Sequence, residues 1–293
     1  RGLGDVYKRQ HIISTPLEHS SVSGTLTALQ EQGYEIDLVD IRRDGTIDLG
    51  HLKELLRPDT IAVAVTLVDS ELGVVQPVKE ISELLQAWPN CHLHVDATQA
   101  VGKIPVSFEG VDTMSLTAHK FYGLNGIGLL LKRRKLALEP LIHGGESTTI
   151  YRSGTPTVAL AASLETALEA AVGELPARTA RVKEANAFLR DALSRYPKVH
   201  INSPENAVPE VLNFSENCIK SETMLAHLAQ QQVYVSSASA CGRGQPSHTL
   251  AAMGRDPLAI DTAIRVSFCA DNTPEDVDAF LAVSYTHLTL PTT

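Results

Sequence analysis

A chain of 293 residues with 43% hydrophobic and 20% charged content can bury a substantial core and does not read as disordered. Its formal net charge of -9 argues against a broad nucleic-acid-binding surface and a polybasic membrane anchor, and no apolar run is long enough to span a bilayer. The four cysteines, Cys91, Cys218, Cys241 and Cys269, lie far apart with no CxxC pair. That usage fits a reducing cytosol and excludes the usual zinc finger, so a soluble cytoplasmic enzyme is expected.

Residues 1–10 (RGLGDVYKRQ) begin without Met and carry no helix or strand period, and residues 284–293 (SYTHLTLPTT) break off a helical pattern. Both stretches resemble translated flanking DNA and are set aside as non-native flanks. From His11 onward, apolar runs alternate with helical patterns. HIIST (His11–Thr15) predicts a strand, Leu17–Gly33 a helix, and EIDLVDI (Glu35–Ile41) a second strand. Asp48 caps a helix through Leu56. TIAVAVTLV (Thr60–Val68) is almost wholly apolar, as expected of a parallel strand buried on both faces. Pro77 opens a helix ending near Trp88, and HLHVDAT (His92–Thr98), Thr113–Thr117 and Ile127–Leu131 predict further strands. Such β–α alternation predicts an α/β sheet with helices on both sides.

The pattern then changes. Pro156–Val172 and Ala177–Tyr196 predict two long helices. Short strands follow at Val199–Ser203, Glu210–Ser215, Val233–Ser237 and Ile264–Cys269, with a helix over Ser221–Gln232 and another capped by Thr273. The expected organisation is a large domain over 11–155 and connecting helices with a smaller C-terminal α+β domain over 156–283.

Three segments carry chemistry. In TAHKFYGLNGIG (Thr117–Gly128), Lys120 sits between a strand and a glycine-rich turn, where an amine is well placed for Schiff-base chemistry. Gly123, Gly126 and Gly128 would let backbone approach a ligand closely; the bland alternative is a solvated lysine at a strand end. In HLHVDATQA, Asp96 lies at the carboxyl end of a buried strand, where α/β sheets place ligand groups. A carboxylate there can keep a pyridinium nitrogen protonated, or can simply cap the next helix. His92, His94 and Asp96 also share one strand face, which keeps a metal-dependent hydrolase as a distant alternative. In VSSASACGRGQPSH, Cys241 follows small residues and precedes glycines, a setting for a reactive thiol with Arg243 nearby. Cys91, Cys218 and Cys269 are expected to be buried and inert.

Taken in order, LEHSSV, DSELGVVQPV, HVDATQAVGKIPV, TAHKFYG, HGGE…YRSGTP, VSSASACG…PSH and IRVSF resemble the cysteine desulfurases, of the class V aminotransferase group. The resemblance runs from about His11 to Val283 and implies a fold-type I pyridoxal 5'-phosphate (PLP) enzyme, with a large mostly parallel sheet domain and a smaller C-terminal α+β domain. It also implies roles. His19 would stack on the PLP ring and move protons, Asp96 would pair with the ring nitrogen, and Gln99 would bond the phenolic oxygen. Thr117 and His119 would bind the phosphate, and Lys120 would carry the cofactor covalently. Arg265 would clamp the substrate carboxylate and Cys241 would take the sulfur as a persulfide. Arg152 and Thr155 would lie near a homodimer interface, where the neighbouring subunit completes the cofactor site. L-cysteine is the implied substrate and a sulfur-acceptor protein the implied partner, for iron–sulfur cluster or thio-cofactor and tRNA biosynthesis. Another class V aminotransferase or a selenocysteine lyase is the alternative. Two positions depart from the family pattern: Ser70 stands where Asn is usual near PLP, and Leu124 where Pro is usual. The family's glycine-threonine phosphate loop falls upstream of His11, so weak PLP binding is expected, and the closing helix of the small domain looks cut, so marginal stability is a second expectation.

Overall fold

The computed structural model describes residues 10–145, 149–237 and 246–288, with side chains described up to residue 284. The first half alternates strand and helix: β1 (His11–Ser14), α1 (Ser20–Glu31), β2 (Glu35–Leu38), α2 (Leu49–Leu55), β3 (Thr60–Thr66), α3 (Val78–Leu85) and β4 (His92–Asp96). Next come β5 (Thr113–Thr117), a 3-10 turn (Ala118–Lys120) and β6 (Gly128–Lys132). These strands form one sheet of order β2-β1-β3-β4-β5-β6, parallel except for the antiparallel edge strand β6. Parallel strands need crossovers that return along a face of the sheet, which is why their side chains are buried and apolar. Val63 and Leu93 are fully enclosed, as are Leu52 of α2 and Ile81 of α3. Each such side chain contributes roughly 1.5–3 kcal/mol of burial.

The register fixes the site. Thr66 of β3 pairs with Asp96 of β4, and Asp96 pairs with Ser115 of β5. Three parallel strands therefore end together at one edge, and the chain turns there into the segments around Val68–Val75, Thr98–Lys103 and Ala118–Lys120.

Two long helices follow, α4 (Val158–Gly173) and α5 (Leu175–Ser194). Leu164 and Ala171 of α4 pack into the core of the large sheet, so this helix belongs with the first half by its contacts. The rest comprises β7 (Val199–Ile201), β8 (Val211–Glu216), α6 (Ser221–Gln230), α7 (His248–Ala252), α8 (Pro257–Asp261), β9 (Ala263–Ser267) and α9 (Pro274–Leu288). Strands β7-β8-β9 form an antiparallel sheet. Leu189 and Leu193 of α5, Met224 and Leu228 of α6, and Phe280 of α9 cover it, with Phe280 edge-on to Phe214 at 6.3 Å. A small third cluster, Leu72 and Val74 against Leu250, Met253 and Ala263, joins the segment after β3 to the second sheet.

Several elements differ from the sequence pattern. Helix α1 starts at Ser20 and not at Leu17, because His19 has extended backbone and caps the helix. Val233–Ser237 is not a strand: Ser236 makes one bridge to Arg265, and Val233 and Val235 pack on the second core without a ladder. Alternating apolar residues report a buried face, not a hydrogen-bonding partner. Helices α7 and α8, five residues each, are too short to show a period and are marked only by their caps, Ser247 and Asp256. Helix α9 continues past Ser284, whose hydroxyl is satisfied by donating to the Phe280 carbonyl at 2.8 Å. Among the described residues, no helix is long and apolar enough to cross a membrane.

Candidate active site

The converging strand ends open into a cavity of about 800 Å³. Asp96, at the last position of β4, is 7% exposed, and its Oδ1 accepts the Thr98 backbone N–H at 2.9 Å. Asp96 thus closes a turn, and not a helix, after β4 and lines the cavity with its carboxylate. Gln99 lines the cavity one turn further on. Thr117 ends β5; its hydroxyl donates to the Ile127 carbonyl at 3.0 Å and lies 3.0 Å from His119 Nδ1. His119 and Lys120 follow on the 3-10 turn, exposed and lining the same cavity. His19 enters from the α1 N-terminus, where Nδ1 accepts the Ser21 N–H at 3.2 Å.

The opposite wall comes from the second sheet. Arg265 of β9 donates from Nη1 to the Ser70 carbonyl at 2.9 Å and from Nη2 to Ser236 Oγ at 3.3 Å. Its Nε is buried without a hydrogen-bond partner among the described residues. Ser70 also lines the cavity. Of the residues singled out by sequence, the fold gathers His19, Ser70, Asp96, Gln99, Thr117, His119, Lys120 and Arg265 around one space. It does not bring Thr155 there: Thr155 and Arg152 are exposed outside this cavity, with Arg152 Nη1 on the Ser153 carbonyl at 3.0 Å. Cys241 lies outside the described residues.

Some expectations need correction. Of the glycines after Lys120, Gly123 and Gly128 lie close to backbone of the chain's own neighbouring segments. A Cβ at Gly123 would stand 2.7 Å from Ala118 Cβ, so this glycine lets the chain fold tightly back on the turn carrying Lys120. Cys91 is buried, and burial pushes its thiol up to about 12, an inert sulfur, but Cys218 and Cys269 are only half-buried. His92 sits 3.8 Å from Asp112, and His94 bonds Thr113 Oγ1 at 2.9 Å. Among the described residues, no group of three His, Cys, Asp or Glu side chains could hold a metal ion, which leaves the hydrolase alternative without a ligand set.

Other residues at the site escaped notice in the sequence. Glu18 Oε1 accepts the Thr15 hydroxyl at 2.8 Å and the Thr66 N–H at 2.7 Å, while Oε2 is buried without a partner among the described residues. Burial pushes this carboxyl up to about 8, and the charges of Asp96 and Asp69 add to the effect. Asp69 is pushed up to about 7 by burial and by Glu71, although its Oδ2 accepts the Glu71 and Leu72 N–H groups. Glu71 in turn accepts the Ser247 hydroxyl. Lys103, also lining the cavity, is pushed down to about 8 by burial. Tyr122, two residues after Lys120, holds a left-handed backbone at φ 69, with Arg178 stacked 5.0 Å from its ring centroid. That conformation is rare for a bulky residue. Charged residues beside quoted motif positions, such as Glu18 next to His19, were the available signal.

The family model for aminotransferase class V matches residues 2–280. The chain belongs to this family. A NifS/IcsS protein homolog of Lactobacillus delbrueckii subsp. bulgaricus is 36% identical over 280 residues, covering 93% of this chain and 73% of the relative. The cysteine desulfurase IscS of Dictyoglomus turgidum is 35% identical over 282 residues, covering 94% and 71%. Among solved structures, a NifS-like protein superposes with a TM-score of 0.89 at 33% identity, covering 96% of this chain and 76% of that one. A structure described as SspA in complex with cysteine gives 0.77 at 26% identity, covering 90% and 75%. The mostly parallel six-stranded sheet with its helices is the fold-type I architecture of these PLP enzymes, and PLP is the family's cofactor. The donor set fits that group, since one cavity is lined by an amine (Lys120), a buried carboxylate (Asp96), an amide (Gln99) and a hydroxyl–imidazole pair (Thr117, His119).

Proposed function

We propose that the chain is a PLP-dependent cysteine desulfurase that converts L-cysteine to L-alanine and holds the sulfur as a persulfide on Cys241. The observation that carries this reading is the meeting of Lys120, Asp96 and Arg265 around one cavity, in a chain 35% identical to a cysteine desulfurase. When bound, PLP supplies an electron sink for the substrate's α-carbon.

In this reading Lys120 would hold the cofactor, and its amine would move a proton at the substrate's α-carbon. Asp96, nearly enclosed, keeps the ring nitrogen protonated. His19 would cover the ring, and Gln99 would bond the phenolic oxygen. Thr117 and His119 would take the phosphate. Ser70 reaches the cofactor through its hydroxyl or a bridging water, since it is shorter than the Asn usual there. Arg265, whose planar fork suits a carboxylate, orients L-cysteine. Cys241 Sγ bonds the substrate sulfur as the bond from that sulfur to the β-carbon breaks. The electron pair stays with the three-carbon fragment, a proton completes it, and alanine leaves.

Three further features belong to the proposal. The enzyme is a homodimer, with Arg152 and Thr155 near the interface. Leu141, Ile142, Ile150 and Val158 are exposed around these two residues, an apolar surface of the kind that marks an interaction site. The working unit comprises a large domain over 11–155, and connecting helices with a smaller domain over 156–283, the first of those helices packing on the large sheet. It acts in the cytoplasm and passes sulfur to an acceptor protein. The test is turnover of L-cysteine with a thiol reductant, following alanine and sulfide together. Cys241→Ala should abolish release of both products while the cofactor stays on Lys120. Unchanged turnover in that variant would point to a different class V reaction.

A further inference from the structure

A second lysine lines the same cavity, and the mechanism above gives it no task. Lys103 follows Gln99 by four residues in the turns after β4, and its ammonium donates both to the Gln99 carbonyl, at 3.0 Å, and to Gln99 Oε1. Carrying a buried charge there is costly, and burial pushes this lysine down to about 8. Lys120 and Arg265 push the same way, and Glu210 alone among the facing charges opposes them. Two of its hydrogen bonds go to one residue four positions earlier.

A glutamine amide is nearly symmetrical in shape and opposite in chemistry at its two ends. A protonated lysine has three donors and no acceptor, so below about pH 8 the end it bonds must be the oxygen. Nε2, with two hydrogens to give, is then the end left for the cavity that Gln99 lines. We propose that Lys103 is a positioning residue that locks the Gln99 amide with its N–H donors toward the phenolic oxygen of the cofactor. The inference rests on the assignment of Gln99 to that oxygen made above. An N–H donated there favours the ionised oxygen. A flipped amide would set carbonyl oxygen against it and put Nε2 against the Lys103 ammonium, two mismatches at once. With Lys103 gone, both orientations become available and the ionised form loses its fixed donor.

The test uses the PLP-loaded chain and its Lys103→Met and Lys103→Arg variants. Borohydride reduction and peptide mass mapping first establish the cofactor on Lys120. Absorption spectra across pH then report the ratio of ionised to neutral phenolic oxygen in the bound cofactor. Lys103→Met should lower that ratio roughly tenfold, shifting its midpoint up by about one pH unit, the loss of one charge-assisted hydrogen bond. Lys103→Arg, which keeps the donors, should stay close to the parent. Should Lys103→Met fail to fold, Lys103→Gln, shorter and uncharged, should shift the midpoint in the same direction by less. An unchanged spectrum in loaded Lys103→Met or Lys103→Gln overturns the proposal and leaves the PLP assignment intact. An absence of PLP from Lys120 in the parent chain overturns both.

Discussion

At the turn between β1 and α1, the Glu18 carboxyl is held by the Thr15 hydroxyl and the Thr66 N–H, both on Oε1, while Oε2 is buried. Both donors are met equally well by the carbonyl oxygen of a glutamine, so Glu18→Gln preserves the geometry and removes only the ionisation. Glu18 is pushed from 4.5 up to about 8, chiefly by burial. A folded value above the unfolded one means that the native chain keeps its proton longer. The stability contributed by this group is therefore fully present below about pH 4.5 and drains away as pH rises toward about 8. At about 1.36 kcal/mol per pH unit, the loss reaches roughly 3 kcal/mol at pH 7 and is under 1 kcal/mol at pH 5. Glu18→Gln has no proton to lose. Its stability relative to the parent should rise by about 2–3 kcal/mol between pH 5 and pH 7, equivalent to roughly 3–5 °C in Tm for a chain of this size. Urea and thermal unfolding at a series of pH values measure the difference. A gap between the two proteins that stays constant from pH 5 to pH 8 would refute the assignment of a neutral buried acid.

Two other substitutions follow from the geometry. Arg265→Lys loses the fork that spans Ser70 and Ser236, and should raise the KM for L-cysteine roughly 10–100-fold in steady-state assays; an unchanged KM would remove Arg265 from substrate binding. Gly73 has a left-handed backbone at φ +76, and a Cβ there would meet Val208 Cγ2 at 3.0 Å and the Val208 carbonyl at 3.2 Å. Gly73→Ala should therefore cost roughly 1–3 kcal/mol in urea unfolding, and an unshifted midpoint would show that the segment after β3 is not held against Val208.

The parallel sheet was legible because its strands are short apolar runs bounded by turn residues, and β3, TIAVAVT, could be read directly as buried on both faces. Asp96, Lys120 and Thr117 were legible for a related reason: each stands at or just past the end of such a run, where the register makes neighbouring strands finish together. On the second wall of the cavity, Arg265 was legible only through the family resemblance, and its placement was not. Arg265 reaches Ser70 across 195 positions of sequence, a contact that no local pattern encodes. Glu18, Asp69 and Lys103 were missed because a charged residue in a sequence reads as solvated, and only the assembled fold reveals which charges are enclosed. The Val233–Ser237 segment misled for the opposite reason, since its apolar alternation is real but serves packing alone.

The most direct test of the central claim is to load the chain with PLP, incubate it with L-cysteine, and map its peptides by mass spectrometry without reduction. A one-sulfur adduct should appear on Cys241 and be absent in Lys120→Ala. A chain that carries PLP on Lys120 and turns over L-cysteine while Cys241 remains unmodified would contradict it.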